Sequence, residues 1–129
     1  MFYLLENNRI IDSNTLFTKN IPLWEVKDNL LFAKSKNGKL IKPYKYNAIK
    51  NQSENVFDLI EEGDLIKDDN RVYEVREIDD GKDYDGRKSV ISQPAMFRHW
   101  EWKIEAIYKP DGKGNYIKVW ERKEKKKNE

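Results

Sequence analysis

His99 is the only histidine in the chain, so any mechanism that needs an imidazole must run through it. It stands in Met96-Phe97-Arg98-His99-Trp100, at the entry to an aromatic-rich segment. No Ser-His-Asp or metal-ligand spacing surrounds it along the chain, and a lone histidine among aromatics reads as structural or partly exposed. Glu61-Glu62 and Glu101/Glu105 have the chemistry for acid–base work. With 37% of residues charged, however, such pairs arise without purpose. Gly112-Lys113-Gly114 lacks the following helix that would supply amides and dipole to a phosphate. There is no cysteine, which excludes a thiolate nucleophile, thiolate metal sites and a disulfide framework. The expectation is a chain that is not an enzyme, with no catalytic residue, metal or cofactor.

Two surface constellations point to binding instead. The first is the loop Asp79-Asp80-Gly81-Lys82-Asp83-Tyr84-Asp85-Gly86. Carboxylates are hard ligands for calcium, but the spacing fails: with Gly86 at the sixth position of a helix-loop-helix site, Gly81 and Ser92 fall where carboxylates are needed. As a recognition loop, its aspartates can imitate a row of phosphates toward a basic partner, with Tyr84 as an anchor. Asp79, Asp80, Asp83, Tyr84, Asp85 and Arg87 form the leading candidate contact set. The second constellation interleaves Lys34, Lys36, Lys39, Lys42, Lys45 and Lys50 with Phe32, Tyr44 and Tyr46. Lysines hold phosphate and exposed rings stack on bases, although arginine is nearly absent there. Lys34, Lys36, Lys39, Lys42, Tyr44, Tyr46 and His99 are the alternative contacts, for nucleic acid or a nucleotide.

These surfaces must be positioned by one domain, or by two very small β units, since the chain has 129 residues. The net charge of +2 conceals blocks: +5 over residues 1–50, −7 over 51–97 and +4 over 98–129. Such blocks face each other within the fold or across a homo-oligomer, or present opposite faces to different partners. Four Trp, seven Tyr and five Phe supply the large buried areas that a thin β core needs. The opening MFYLLENNRII has no basic n-region, and after Met1 only four successive apolar residues. It is expected to be neither signal peptide nor membrane span, which makes a soluble intracellular protein the default.

The pattern predicts short strands and tight turns. Phe2 to Leu5 and Arg9 to Ile11 flank an Asn-rich turn, and residues 15–20 suggest a short strand before Pro22. Leu23 to Lys27 and Leu30 to Ser35 flank Asp28-Asn29. Asn37-Gly38 then turns the chain toward Leu40-Ile41, which Pro43 limits. Residues 44–52 are ambiguous between strand end and linker. The organising stretch is Ser53 to Ile78. Ser53 or Asn55 caps a helical turn with Val56, Leu59 and Ile60 on one stripe, and Gly63 ends it. Asp64 to Lys67 and Arg71 to Ile78 make a hairpin across Asp68-Asp69-Asn70. Lys88 to Ser92 is a strand that Gln93-Pro94 breaks. Trp100, Trp102, Ile104, Ala106 and Tyr108 alternate with Glu101, Lys103 and Glu105, predicting one half-buried strand. Tyr116 to Arg122 pairs back across 110–115. Residues 123–129 carry no apolar side chain and are expected to be frayed.

SENVFDLIEEGDLI, VYEV and IEAIYKPDGKGNYIKVWE, with the YLLENNRIID opening, resemble small phage and prophage accessory proteins of Gram-positive bacteria. The resemblance implies an accessory protein of a bacterial cytoplasm that binds and disables a host protein, in the manner of anti-CRISPR and other anti-defence inhibitors. It transfers no catalytic residue. The expected fold is mainly β: a meander over 1–52, an SH3-like barrel over 53–122 and a charged tail over 123–129. The expected function is non-catalytic binding of a host protein. The alternatives are a nucleic-acid-binding β module, an oligomeric sponge for a nucleotide immune signal, and a small enzyme centred on His99.

Overall fold

The computed structural model describes residues 1–14, 23–42 and 44–123. The strand expected over 15–20, the effects of Pro22 and Pro43, and all but the first residue of the tail lie outside the described residues. The chain is mainly β and divides into two units, 1–59 and 60–129.

The first unit has two three-stranded sheets. In one, β1 (Phe2–Leu5) lies between β2 (Ile10–Asp12) and β6 (Ile49–Ser53), antiparallel to both. The ambiguous 44–52 segment is therefore resolved by long-range pairing, and this pairing is why residues 49–53 belong with the first unit. In the other sheet, β3 (Leu23–Lys27), β4 (Leu30–Lys34) and β5 (Leu40–Ile41) follow in order. Asp28 and Asn29 both adopt positive φ, 51° and 63°, the conformation that a two-residue hairpin loop demands and that Asx residues tolerate. Leu5, Ile11, Leu31 and Ile49 form the buried core, with Tyr3, Trp24 and Tyr44 packed against it. A 3₁₀ turn at Val56–Leu59 closes the unit. Both proposed caps are used: the Asn55 amide donates to Ser53 Oγ at 3.1 Å, and the Phe57 amide to Asn55 Oδ1 at 3.1 Å.

The second unit is one six-stranded antiparallel sheet in the order β10-β9-β8-β7-β11-β12. Its strands are β7 (Leu65–Asp68), β8 (Arg71–Asp79), β9 (Ser89–Gln93), β10 (Arg98–Trp100), β11 (Ile104–Pro110) and β12 (Tyr116–Glu121). Asp69 and Asn70, at φ 52° and 61°, make the β7–β8 turn. Ile66, Val75, Val90, Ile104, Ala106 and Ile107 are buried.

The alternation over 100–108 is not one strand. It is split by a 3₁₀ turn at Glu101–Lys103, which joins β10 at one edge to β11, four places away in the sheet. In a flat sheet those strands would stand about 19 Å apart, whereas four residue steps span at most about 14 Å. The sheet must therefore roll. No ladder among the described residues joins its edges, so closure into the expected SH3-like barrel is not observed. Trp102, on the turn, is 56% exposed. Within β11 the register shifts at Ile104/Ala106 and again at Ile107/Tyr108. The buried set accordingly passes from Ile104 and Ala106 to Ile107 and Lys109, leaving Tyr108 half-buried.

Candidate partner-binding surface

The acidic loop is a built structure that starts from the end of β8. Asp79 Oδ1 accepts from the Gly81 amide at 2.8 Å, and Asp80 Oδ1 from the Lys82 amide at 3.0 Å. The amides of Tyr84 and Gly86 both donate to the Gly81 carbonyl at 2.9 Å. Gly81 sits at φ +84°, and a Cβ there would lie 2.7 Å from the Arg87 carbonyl carbon and oxygen, so only glycine allows this closure.

Cross-strand register places Asp79, Ser89 and Trp100 in one row. Arg98 binds this row together. Its Nη1 donates to Asp79 Oδ2 at 2.7 Å and to Ser89 Oγ at 2.6 Å. Its guanidinium lies 4.5 Å from the Tyr84 ring centre and 5.5 Å from that of Trp100. Tyr84 meets Trp100 edge to face at 5.3 Å, and Trp100 stacks on Trp102 at 5.3 Å with rings 4° from parallel. Such ring pairs are worth about 0.5–1.5 kcal/mol each beyond the area they bury. The outcome is a fixed aromatic platform with Tyr84 41% exposed at one end and Trp102 at the other. Sequence reasoning passed over Arg98 and assigned both tryptophans to the core. The only local signal for a surface role was the cation beside Trp100.

The Gly81 amide first, and the Arg98 guanidinium second, hold the Asp79 carboxyl below its ordinary range. A depressed carboxyl stabilises the fold above its ordinary value and loses that contribution as pH falls through the lowered one. The Asp79 side-chain carboxyl resonance, followed by NMR, should therefore hold its position down through the ordinary aspartate range and move only below it. Asp79→Asn should shift the Tyr84 ring resonances already at neutral pH. Movement at or above the ordinary aspartate value would contradict this role for Asp79.

Of the other residues in the leading set, Asp80, Asp83, Asp85 and Arg87 are exposed on the same loop. The alternative set is divided between the two units. Lys36, Lys39 and Lys42 are exposed around the β4–β5 turn, but Lys34 pairs with Glu25 at 3.1 Å. Arg9 covers the Tyr44 ring at 4.8 Å and Lys45 the Tyr46 ring at 5.4 Å. His99 belongs to the second unit and is 3% exposed.

The fold gives His99 partners that no sequence spacing revealed. Its Nδ1 is 2.7 Å from Asp68 Oδ2, and its Nε2 is 3.1 Å from Ser92 Oγ. These are the members of a Ser-His-Asp arrangement, brought from β7 and β9 by strand pairing and announced by no spacing along the chain. The arrangement is sealed in this conformation. Ser92 is fully buried, and its Oγ donates to the Ala95 carbonyl at 2.9 Å while the Phe97 amide reaches it at 3.3 Å. The Tyr73 ring covers the imidazole at 4.3 Å. A nucleophile needs open space for a reacting atom beside it, and here the neighbourhood of Oγ is filled. The network satisfies a buried imidazole and ties the β9–β10 hairpin to the end of β7.

A groove of about 420 Å³ lies beside the platform, lined by Glu77, Ile78, Asp79, Asp80, Ile91, Met96 and Arg98. A second, of about 450 Å³, mixes Lys67, Arg122 and Lys123 with Glu105, Glu121 and Asn70, and offers no single complementary charge. Among the described residues no group of three or more His, Cys, Asp or Glu is placed to hold a metal ion. No helix there is long and apolar enough to cross a membrane. No family model, curated protein or solved structure matches the chain significantly.

Proposed function

We propose that this chain is a non-catalytic binding protein of the phage accessory kind, which docks its Tyr84–Arg98–Trp100–Trp102 platform and acidic loop on a basic surface of a host protein. The observation that supports this reading is the platform itself. Exposed rings held rigid by an arginine and a glycine-closed loop lose little entropy on binding, and aromatic and arginine side chains dominate interface energies. Residues 77–87 carry five carboxylates against Lys82 and Arg87, which favours a surface that otherwise meets phosphate and disfavours phosphate itself. The sealed state of Ser92 and His99 gives the enzyme reading no support.

The test is affinity capture from a bacterial host lysate, followed by binding measurements with the captured protein. Trp102→Ala should weaken binding at least about 30-fold, the size of a 2 kcal/mol hot spot, with the fold retained and the melting temperature lowered by no more than loss of the stack on Trp100 accounts for. Changing Asp80, Asp83 and Asp85 to Asn should flatten the salt dependence. Asp79 is left intact because it builds the loop. Binding that survives both changes at full strength would remove the platform from the interface and leave the lysine-rich hairpin as the better candidate.

A further inference from the structure

We infer that the groove on β8, β9 and β10 takes an arginine side chain from an extended segment of the partner, a reading that rests on the binding function proposed above. Register places Glu77, Ile91 and Arg98 in one row across the three strands, so their side chains share a face. Ile91 lies under the groove, and Ile78 and Met96 leave large apolar areas open to solvent along it. The rim carries the carboxylates of Glu77, Asp79 and Asp80.

The one cation lining the groove is already engaged. Arg98 donates to Asp79 and Ser89 and lies under the Tyr84 ring. Arg76 touches Met96 Sδ at 2.8 Å but is not part of the lining. Lys82 stands 3.9 Å from Asp80, an exposed pair of the kind that contributes little. Arg98 also feels the Glu77 charge, but three carboxylates against one guanidinium leave the groove with net negative charge to be met. The rim carboxylates do not converge as a metal-holding group. The complementary ligand is an extended cation with an apolar stem.

Arginine fits better than lysine for two physical reasons. Its guanidinium is planar and weakly hydrated, so it gives up less on settling over an apolar floor, and its forked donors address carboxylates at two points. Its methylenes can lie along Ile78, Ile91 and Met96 while the head reaches Glu77 and Asp80. A groove of this volume falls within the range of small-ligand sites and has room for the residues flanking that arginine.

The test needs no partner. The tripeptide acetyl-Gly-Arg-Gly-amide is titrated into the ¹⁵N-labelled full chain, with the Gly-Lys-Gly and Gly-Leu-Gly analogues for comparison. The expected result is saturable shifts of the Glu77, Ile78, Ile91 and Arg98 amides, with the arginine peptide binding at least fivefold more tightly than either analogue. Glu77→Gln with Asp80→Asn should weaken it at least fivefold, whereas Asp83→Asn should not. The proposal is overturned if the titration is silent, if the leucine peptide binds equally, or if the double substitution changes nothing. A silent titration together with Trp102-dependent partner capture removes the arginine site and leaves the docking function standing.

Discussion

Lys109→Met is expected to destabilise the second unit by about 3–5 kcal/mol, the range for removing one partner of a buried ion pair. Lys109 is fully buried, with its Nζ donating to Asp64 Oδ2 at 2.6 Å and to Glu61 Oε1 at 2.8 Å. Asp64 Oδ2 also accepts from the Glu61 amide at 2.8 Å. Burial raises the Asp64 carboxyl above its ordinary value even though the Lys109 ammonium and the Glu61 amide lower it. Removing the ammonium leaves that desolvated carboxylate without its cation. Asp64→Asn in the same chain removes the stranded charge, so the double variant should recover most of the loss.

The pH dependence has a definite sign. A carboxyl whose folded value is raised binds its proton more readily in the folded state, so the penalty eases as pH falls through that raised value. Lys109→Met should therefore be less damaging in mild acid than at neutral pH. Urea denaturation at the two pH values checks both statements. A loss under about 1 kcal/mol at neutral pH, typical of an exposed pair, would mean that Lys109 reaches water.

Ile104→Ala should cost about 2–4 kcal/mol, because a fully buried isoleucine leaves a cavity as well as losing its transfer energy. Trp102→Ala, two residues earlier in the same apparent alternation, should cost no more than about 0.5–1.5 kcal/mol, the worth of its stack on Trp100. The contrast follows from the 3₁₀ turn that puts Trp102 on the surface and Ile104 at the start of a central strand. Thermal or chemical melting of the two variants decides it. Equal losses would restore the single half-buried strand.

What the sequence determined by itself was local. The hairpins at 28–29 and 69–70, the capped turn starting at Val56 and the mainly β class were legible, because Asx positions with φ above zero, caps and period-two alternation are properties of a few adjacent residues, although that turn ends at Leu59 and not at Gly63. The acidic loop was also legible as a loop, though its internal bonding to Asp79 was not. Only the tertiary structure decided the rest, since it depends on which strands become neighbours. Sheet order places β10 and β11 four strands apart, which breaks the 100–108 alternation and exposes Trp102. Two register shifts turn Lys109 inward, where a lysine is tolerated because Asp64 and Glu61 arrive from 45 and 48 residues away. Strand pairing likewise brings Asp68 and Ser92 to His99 across 31 and 7 residues, and Asp79 to Arg98 across 19. Turn chemistry acts over neighbouring residues and leaves a mark in the sequence. Burial of a charge or an imidazole is set by distant partners, whose identity no window of the chain contains.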